Sequence, residues 1–270
     1  MLPTFLAQLT GGCYLAVGLF TTNRVNWKYL RLMAVLSLCL LTVTGVLLAR
    51  TQTAKAGPIA GLPLVAIGVA GLVGGAWLFL NAAQAERIRA SQRLCPIAAG
   101  LASLVAALLL ADLRDMELAG AQPDQPTLAR LAVAATTVLG AGLLGTLTAA
   151  MLLGHRYLTD TDMPIAPLRR LAGAYLAMVT LRVLWMIPAT YPIWSGGFEP
   201  RGDASWFWLV LSLRTAVGLG ITSIFAWMMW DCVKRRATQS ATAMLYLSMV
   251  FVFLGELAGQ YLMRTDALAL

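Results

Sequence analysis

Apolar residues follow one another along this chain in eight long runs, which short polar connections separate. Each run holds about 20 residues and few charges, the length that an α-helix needs to cross ~30 Å of hydrocarbon. The runs are apolar on all sides, which favours helices in lipid over amphipathic helices in water and over the alternating pattern of a membrane β-barrel. The sequence therefore predicts an all-α, polytopic membrane protein, a bundle of eight transmembrane helices.

No linker, low-complexity region or internal repeat interrupts this pattern, so we expect residues 1–270 to form one integral membrane domain. The first apolar run lacks a preceding positive residue and a small-x-small cleavage site, and we interpret it as a transmembrane helix rather than a signal peptide. The predicted helices cover about 3–22, 29–49, 58–81, 94–111, 128–154, 167–189, 205–232 and 241–263.

Charge is scarce and unevenly placed. Only 12% of residues are charged, whereas a soluble domain has about 25%. The net charge of +8 comes from short basic clusters between the apolar runs, which indicates membrane orientation rather than nucleic-acid binding. Twelve basic residues fall in the odd-numbered connections and six in the even-numbered ones or after the last helix. This asymmetry predicts a bacterial inner (cytoplasmic) membrane protein with cytoplasmic odd connections and both termini outside the cytoplasm.

Three charged residues, Arg182, Arg214 and Glu256, stand inside the last three predicted helices. The up-down-up order of these helices puts each charge about 10–14 Å from the outer end of its helix. An ionisable group in hydrocarbon costs at least ~2.5 kcal/mol on insertion scales, and pairing offsets part of this cost. We therefore predict a buried cluster, and the sequence leaves open whether it is a binding site or a structural ion pair.

Neighbouring residues give this cluster the character of a pocket. Gln260 follows Glu256 by four residues and shares its helix face, while Met178 and Trp185 flank Arg182. Paired charges with an amide and an aromatic wall suit a quinone headgroup. In this hypothesis the quinone-binding residues are Arg182, Arg214, Trp185 and Gln260.

A second candidate lies at the cytoplasmic end. His155 is the only histidine of the chain, and Asp160 and Asp162 follow it closely. A histidine that titrates near neutral pH beside carboxylates can relay protons, so His155 and Asp160 are a candidate proton relay. A lone histidine at a helix end is also typical of a simple interfacial residue, and both interpretations stay open.

Several chemistries lack their motifs in this sequence. One histidine does not supply the two axial ligands of a b-type haem, so we expect no haem ligated by this chain alone. The four cysteines are scattered without a Cys-x-x-Cys pair, and no metal site is predicted. Phosphate-binding loops, hydrolase elbows and zinc-protease motifs are missing as well. If electrons are handled here, another subunit carries their cofactors.

Two further features concern packing and the outer surface. The Gly71-x-x-x-Gly75 motif and a glycine group in the fifth helix predict close helix contacts. The connection Tyr191–Asp203 is rich in turn formers and flanked by aromatic residues. We interpret it either as an interfacial aromatic anchor or as a lid over an outward-facing pocket.

The final helix resembles a known family over the ten residues Phe253–Leu262. Its Gly255-Glu256-Leu257 stretch is similar to the Gly-Glu-Leu-x-x-Arg ending of the NrfD-like membrane anchors of dimethyl sulfoxide and polysulfide reductases, although Gln260 replaces the basic residue. Those anchors have eight helices and no haem. The resemblance implies a quinol-binding subunit that passes electrons to an iron–sulfur protein. It also implies Glu256 as proton acceptor, with Arg182 or Arg214 on the quinone carbonyl.

Three functions therefore compete. The first is a quinone-binding, integral membrane subunit of an electron-transfer complex, with lipids and other subunits as partners. The second is a small-solute or ion transporter that uses the Arg182, Arg214 and Glu256 cluster. The third is a non-catalytic assembly subunit of a respiratory or photosynthetic complex. The sequence leaves open whether the chain is an enzyme, and a subunit of an oxidoreductase fits it better than an enzyme acting alone.

Overall fold

The computed structural model describes residues 1–20, 25, 27–52, 61–82, 91–118, 127–159, 163–196, 198–266 and 268–270. In this part of the chain the structure is helical and contains no strand, which confirms the all-α prediction. Eight helices are long and apolar enough to cross a membrane, so the chain is a multi-pass membrane protein. They are α1 (Leu2–Phe20), α2 (Trp27–Gln52), α3 (Leu62–Ala82), α4 (Ser91–Leu118), α5 (Thr127–Thr159), α6 (Ala166–Ala189), α7 (Ala204–Lys234) and α8 (Thr238–Thr265).

The helices pack as two rings of four consecutive helices. In the first ring, α1 and α3 each contact both α2 and α4. In the second ring, α5 and α7 each contact both α6 and α8. The rings meet mainly along α1 and α5, which are the most enclosed of the eight spans.

Glycines make the contact between the two rings possible. A Cβ atom on Gly12 of α1 would lie 1.9 Å from the main-chain oxygen of Ala141, and one on Gly145 of α5 would lie 1.9 Å from the main-chain carbon of Gly12. Only glycine permits this approach, as predicted for the fifth helix. A Cβ atom on Gly71 or Gly75 would meet no atom within 4 Å, so the close contact predicted from that motif is wrong for the described residues.

Helix α4 is longer than its apolar run. It continues to Leu118, seven residues beyond the predicted end at 111, so Asp112, Asp115 and Glu117 are helical. The thickness of the hydrocarbon limits the apolar stretch of a membrane helix, whereas its hydrogen bonds continue into the polar layer.

Helix α7 changes its winding in the middle. Residues Leu213–Ile221 form a π-helix, whose i→i+5 hydrogen bonds widen the turn. The main chains of α7 and α8 meet in this segment, because a Cβ atom on Gly218 would lie 2.5 Å from the Cα of Gly255. The π-helix thus contains Arg214 and brings it beside Glu256.

Candidate functional site

Arg182, Arg214 and Glu256 meet inside the second ring. Arg182 approaches the carboxylate of Glu256 with two donors, Nε to Oε1 at 3.1 Å and Nη2 to Oε2 at 3.0 Å. Arg214 donates from Nη1 to Oε1 of Glu256 at 2.9 Å. None of the three side chains is more than 2% exposed, so the predicted pairing of buried charges is confirmed. Paired, charge-assisted hydrogen bonds of this kind are the strong ones in proteins.

The three charges also share one level of the bundle. Arg182 lies seven residues before the end of α6, Arg214 ten residues after the start of α7, and Glu256 nine residues before the end of α8. At 1.5 Å per residue, each lies roughly 10–15 Å from the end of the bundle that holds the connection between α6 and α7. The fixed rise of the helix explains why sequence positions predicted this depth.

A main-chain oxygen completes the cluster. The oxygen of Leu270 accepts from Nη2 of Arg182 at 3.1 Å and lies 3.5 Å from Nη2 of Arg214. The preceding residues are held nearby, since Thr136 donates from Oγ1 to the oxygen of Ala269 at 3.1 Å. Sequence reasoning ended the last helix at residue 263 and missed this segment. The signal was the return of apolar residues, Leu268 to Leu270, after a polar break.

Helix α5 supplies the wall beside Arg182. Nη1 of Arg182 donates to the main-chain oxygen of Thr136 at 3.3 Å, and Nε1 of Trp185 donates to the hydroxyl of the same residue at 2.9 Å. Gly140 leaves room for the carboxylate, because a Cβ atom there would lie 3.0 Å from Oε2 of Glu256. Trp185 therefore borders the cluster through Thr136, a residue that the sequence did not single out.

Gln260 connects the cluster to the first ring. Its Nε2 donates to Oε1 of Gln8 on α1 at 2.7 Å, and both amides are buried. The position of Gly140 is close to both Gln8 and Glu256, so the amide pair adjoins the carboxylate. Gln8 was not predicted, and its signal is the single amide in a first helix that contains no charged residue.

The cluster keeps hydrogen-bonding capacity that its described neighbours do not use. Nε of Arg214 and Oε1 of Gln260 are buried and have no hydrogen-bond partner among the described residues. The guanidinium of Arg214 faces Gly259, where a Cβ atom would lie 3.1 Å from Nε. Buried polar atoms are nearly always paired in folded proteins, so these two atoms suit the oxygen and hydroxyl groups of a bound ligand.

A groove of about 330 Å³ runs between α6 and α7 next to the cluster. Two of its lining residues, Val183 and Thr215, directly follow Arg182 and Arg214 in the chain. Val183 and Ile187 are exposed, so the groove opens on the lateral surface of the helix bundle. It is lined by Val183, Met186, Ile187, Thr190, Thr215, Leu219, Gly220 and Ser223.

The proposed proton relay lies elsewhere. His155 is exposed, and its Nδ1 lies 3.1 Å from the hydroxyl of Tyr246 on α8. Tyr246 precedes Glu256 by ten residues, which is about 15 Å along a helix. Asp160 lies outside the described residues. The structure therefore does not bring His155 to the arginine–glutamate cluster.

Aromatic residues around the connection between α6 and α7 divide into two groups. Tyr191, Trp194, Trp206 and Trp208 are exposed, as an interfacial anchor requires. Phe207 instead is only 3% exposed and belongs to a small apolar cluster that is separate from the main core. The buried members of this cluster are Phe207, Val210, Leu211, Ala258, Leu262, Leu268 and Leu270.

The fold and the site together define a multi-pass helical membrane protein with a buried arginine–glutamate cluster in its second ring. Comparisons with protein-family models, with curated proteins and with solved structures find no match to this chain. The likeness of Phe253–Leu262 to the reductase anchors consequently rests on the sequence motif alone.

Proposed function

We propose that this protein is an integral membrane subunit of a multi-subunit electron-transfer complex and binds a quinone at the arginine–glutamate cluster. One observation carries the proposal: beside the carboxylate of Glu256, Nη2 of Arg182 donates to the main-chain oxygen of Leu270 at 3.1 Å, and Nη2 of Arg214 lies 3.5 Å from the same oxygen. A quinone also presents oxygen acceptors to such donors, and it reaches a protein from the lipid. The groove between α6 and α7 gives this ligand a lateral path to the same helices.

Each residue of the cluster has a role in this proposal. Arg182 and Arg214 donate hydrogen bonds to the ligand carbonyl, and Glu256 accepts a proton from the quinol hydroxyl. Two guanidiniums favour the charged carboxylate, so Glu256 becomes a proton acceptor when one of them turns toward the ligand. Quinol oxidation releases two electrons, which an iron–sulfur partner subunit takes up, and two protons, which Glu256 accepts one after the other and passes to water. Trp185 provides an aromatic face, and Gln260 a second polar contact.

Orientation is part of the proposal. The distribution of basic residues favours cytoplasmic odd connections, and with that orientation the cluster would lie in the outer half of a bacterial inner membrane. Labelling in intact cells tests this placement. Trp194 or Arg235, which are both exposed, is replaced by a single cysteine in a variant without the four native cysteines. We expect a membrane-impermeant maleimide to label position 194 and not position 235. The opposite result contradicts the proposed orientation.

Replacement of the carboxylate tests the function itself. We expect Glu256→Gln to lower quinol oxidation by the purified complex at least ~100-fold, because general-base catalysis typically contributes that much. Arg235→Gln is the matched control, since Arg235 also pairs with a carboxylate, Asp231, but at an exposed site where the two side chains are 76% and 50% exposed. Thermal unfolding in detergent shows whether each variant is folded. Unchanged quinol oxidation by folded Glu256→Gln rejects the proposal.

Co-purification after mild detergent extraction separates the competing functions. An iron–sulfur protein that accompanies the chain supports the electron-transfer subunit. Isolation as a lone homo-oligomer that drives solute uptake into proteoliposomes supports a transporter instead. Recovery with a pigment or cytochrome complex, without quinone binding, supports a non-catalytic assembly subunit.

A further inference from the structure

We infer that the segment Leu268–Leu270 is a removable occupant of the quinone site, and that Arg182 and Arg214 exchange the main-chain oxygen of Leu270 for the carbonyl oxygen of the ligand. The inference rests on the proposed function. In this inference, residues Leu268–Leu270 compete with the ligand for the donors of Arg182 and Arg214.

Two polar contacts hold the segment at ordinary hydrogen-bond length: Nη2 of Arg182 donates to the oxygen of Leu270 at 3.1 Å, and Oγ1 of Thr136 donates to the oxygen of Ala269 at 3.1 Å. The arginine contacts to the carboxylate of Glu256 measure 2.9–3.1 Å. By contrast, the main-chain nitrogen of Leu268 lies 3.5 Å from the oxygen of Leu262, and Nη2 of Arg214 lies 3.5 Å from the oxygen of Leu270. Contacts at 3.5 Å are beyond the usual range of hydrogen bonds, so the polar hold on the segment comes mainly from the two contacts at 3.1 Å, and a ligand oxygen can replace the one from Arg182.

Removal of the segment uncovers the donors that a ligand needs. The oxygen of Leu270 lies 3.4 Å from the Cβ position of Gly259, and the guanidinium carbon of Arg214 lies 3.3 Å from the same position. Gly259 has no side chain to refill this layer. The unpartnered Nε of Arg214 is in the same layer, so a flat ligand there gains a hydrogen bond that the segment does not make.

The apolar anchor of the segment is also separable from the rest of the fold. Leu268 and Leu270 pack with Phe207 and Leu262 in the small apolar cluster, not in the main core of the two rings. Local opening of a peripheral cluster requires less free energy than global unfolding. Asp266 accepts a hydrogen bond from the main-chain nitrogen of Arg201 at 3.1 Å, which ties the base of the segment to the connection between α6 and α7.

Quinone affinity tests the competition directly. The dissociation constant of a short-chain benzoquinone is measured by tryptophan quenching on the detergent-purified full chain and on a variant that lacks Leu268–Leu270. A competing occupant lowers the apparent affinity in proportion to the fraction of time that it fills the site. We therefore expect the deletion to tighten binding about 10-fold or more. Leu268→Ala combined with Leu270→Ala weakens the anchor without removing the main-chain oxygen, and it should tighten binding less.

Two controls accompany these variants. Leu254→Ala removes an exposed leucine of α8, 44% accessible, and should leave the affinity unchanged. Arg214→Gln removes a donor from the site and should weaken binding with or without the segment. If the deletion variant does not fold, the double-alanine variant still decides between tightening and no change.

Hydrogen–deuterium exchange supplies a readout that does not depend on activity. We expect the benzoquinone to speed exchange of the amides of Leu268 and Leu270 in the full chain and not in Arg214→Gln. One result overturns the inference and leaves the proposed function standing. In that result Arg214→Gln abolishes binding, but deletion of the segment leaves binding unchanged or weakens it. Absence of quinone binding to every variant overturns the proposed function and the inference with it.

Discussion

The two rings bury polar groups in different ways. Among the described residues, the first ring buries hydroxyls and one amide but no charged side chain. Several of its hydroxyls bond within their own helix, as Thr10 does to the oxygen of Leu6 at 2.7 Å and Ser103 to that of Ala99 at 2.9 Å, whereas Tyr29 donates across to the oxygen of Ala149 on α5 at 3.0 Å. The second ring buries three charges whose hydrogen bonds join α5, α6, α7 and α8. Charged hydrogen bonds therefore connect the helices of the second ring through one carboxylate, whereas no buried charge among the described residues connects those of the first ring.

This difference follows from the energetics of polar groups in membranes. A hydroxyl that bonds to its own helix is satisfied before the helices associate, so it adds little to their association. A buried guanidinium or carboxylate is satisfied only after its partner helix has docked. Removal of one partner then leaves an uncompensated charge, which is much more costly than the loss of a neutral hydrogen bond.

The largest expected effect comes from Glu256→Gln. This change leaves the positive charges of Arg182 and Arg214 buried without their carboxylate, and we expect destabilisation by about 3–5 kcal/mol. Ser103→Ala in the first ring is the neutral counterpart and should cost less than about 1 kcal/mol, because its hydrogen bond lies within one helix. Unfolding of both variants in mixed micelles measures the difference. Similar losses for the two would remove the distinction between the rings.

The seam between the rings should tolerate substitution less than the lipid face of α3. Gly145→Ala places a methyl group 1.9 Å from the main chain of Gly12, so the rings must separate, at a cost of about 1–3 kcal/mol. Gly71→Ala has open space and should be neutral or slightly stabilising. Thermal unfolding of the two variants in one detergent makes the comparison, and an equal cost would contradict the observed packing.

The two arginines of the second ring should contribute differently to the free energy of unfolding. Arg182 makes two contacts to Glu256 and also bonds to Thr136 and Leu270, whereas Arg214 makes one contact to the carboxylate and leaves Nε unused. We expect Arg182→Gln to destabilise the protein by about 1–2 kcal/mol more than Arg214→Gln, since more charged hydrogen bonds are lost. Chemical unfolding curves of both variants test the order, and a reversed order would contradict the geometry.

The smallest effect concerns the start of α7. Asp203 caps this helix by accepting from the main-chain nitrogen of Ser205 at 2.9 Å. The hydrogen bond from the Ser205 hydroxyl, and to a smaller extent the one from the Ser205 main chain, hold the pKa of the Asp203 carboxyl below its usual range. A lowered folded-state pKa means that the cap stabilises above the unfolded pKa of ~3.9 and is lost as the pH falls through the folded value.

Thermal midpoints between about pH 6 and about pH 3 measure this contribution. The wild type should exceed Asp203→Ala slightly at the upper pH, and the gap should close at the lower pH. A gap that widens on acidification would contradict the assigned sign. Because the carboxyl is fully exposed, this effect should be far below those of the buried charges.

Much of the architecture was open to sequence reasoning. The sixth helix was predicted at 167–189 and observed at Ala166–Ala189, because a membrane requires every spanning segment to satisfy its backbone internally and marks it with apolar residues. The common depth of Arg182, Arg214 and Glu256 was predictable for the same reason, since the helix rise is constant. The end of α4 was not predictable, because hydropathy indicates the hydrocarbon boundary and not the last hydrogen-bonded turn.

The sequence by itself determined the number of membrane helices, their apolar extents and the level at which the charges lie, because these properties depend on local composition and on a fixed rise per residue. Only the tertiary structure decided which neighbours the charges have: Gln8 from α1, Thr136 from α5 and the main-chain oxygen of Leu270. It also decided the π-helix that presents Arg214. These features depend on helix rotation and on contacts between distant parts of the chain, which leave no periodic signal in the order of residues.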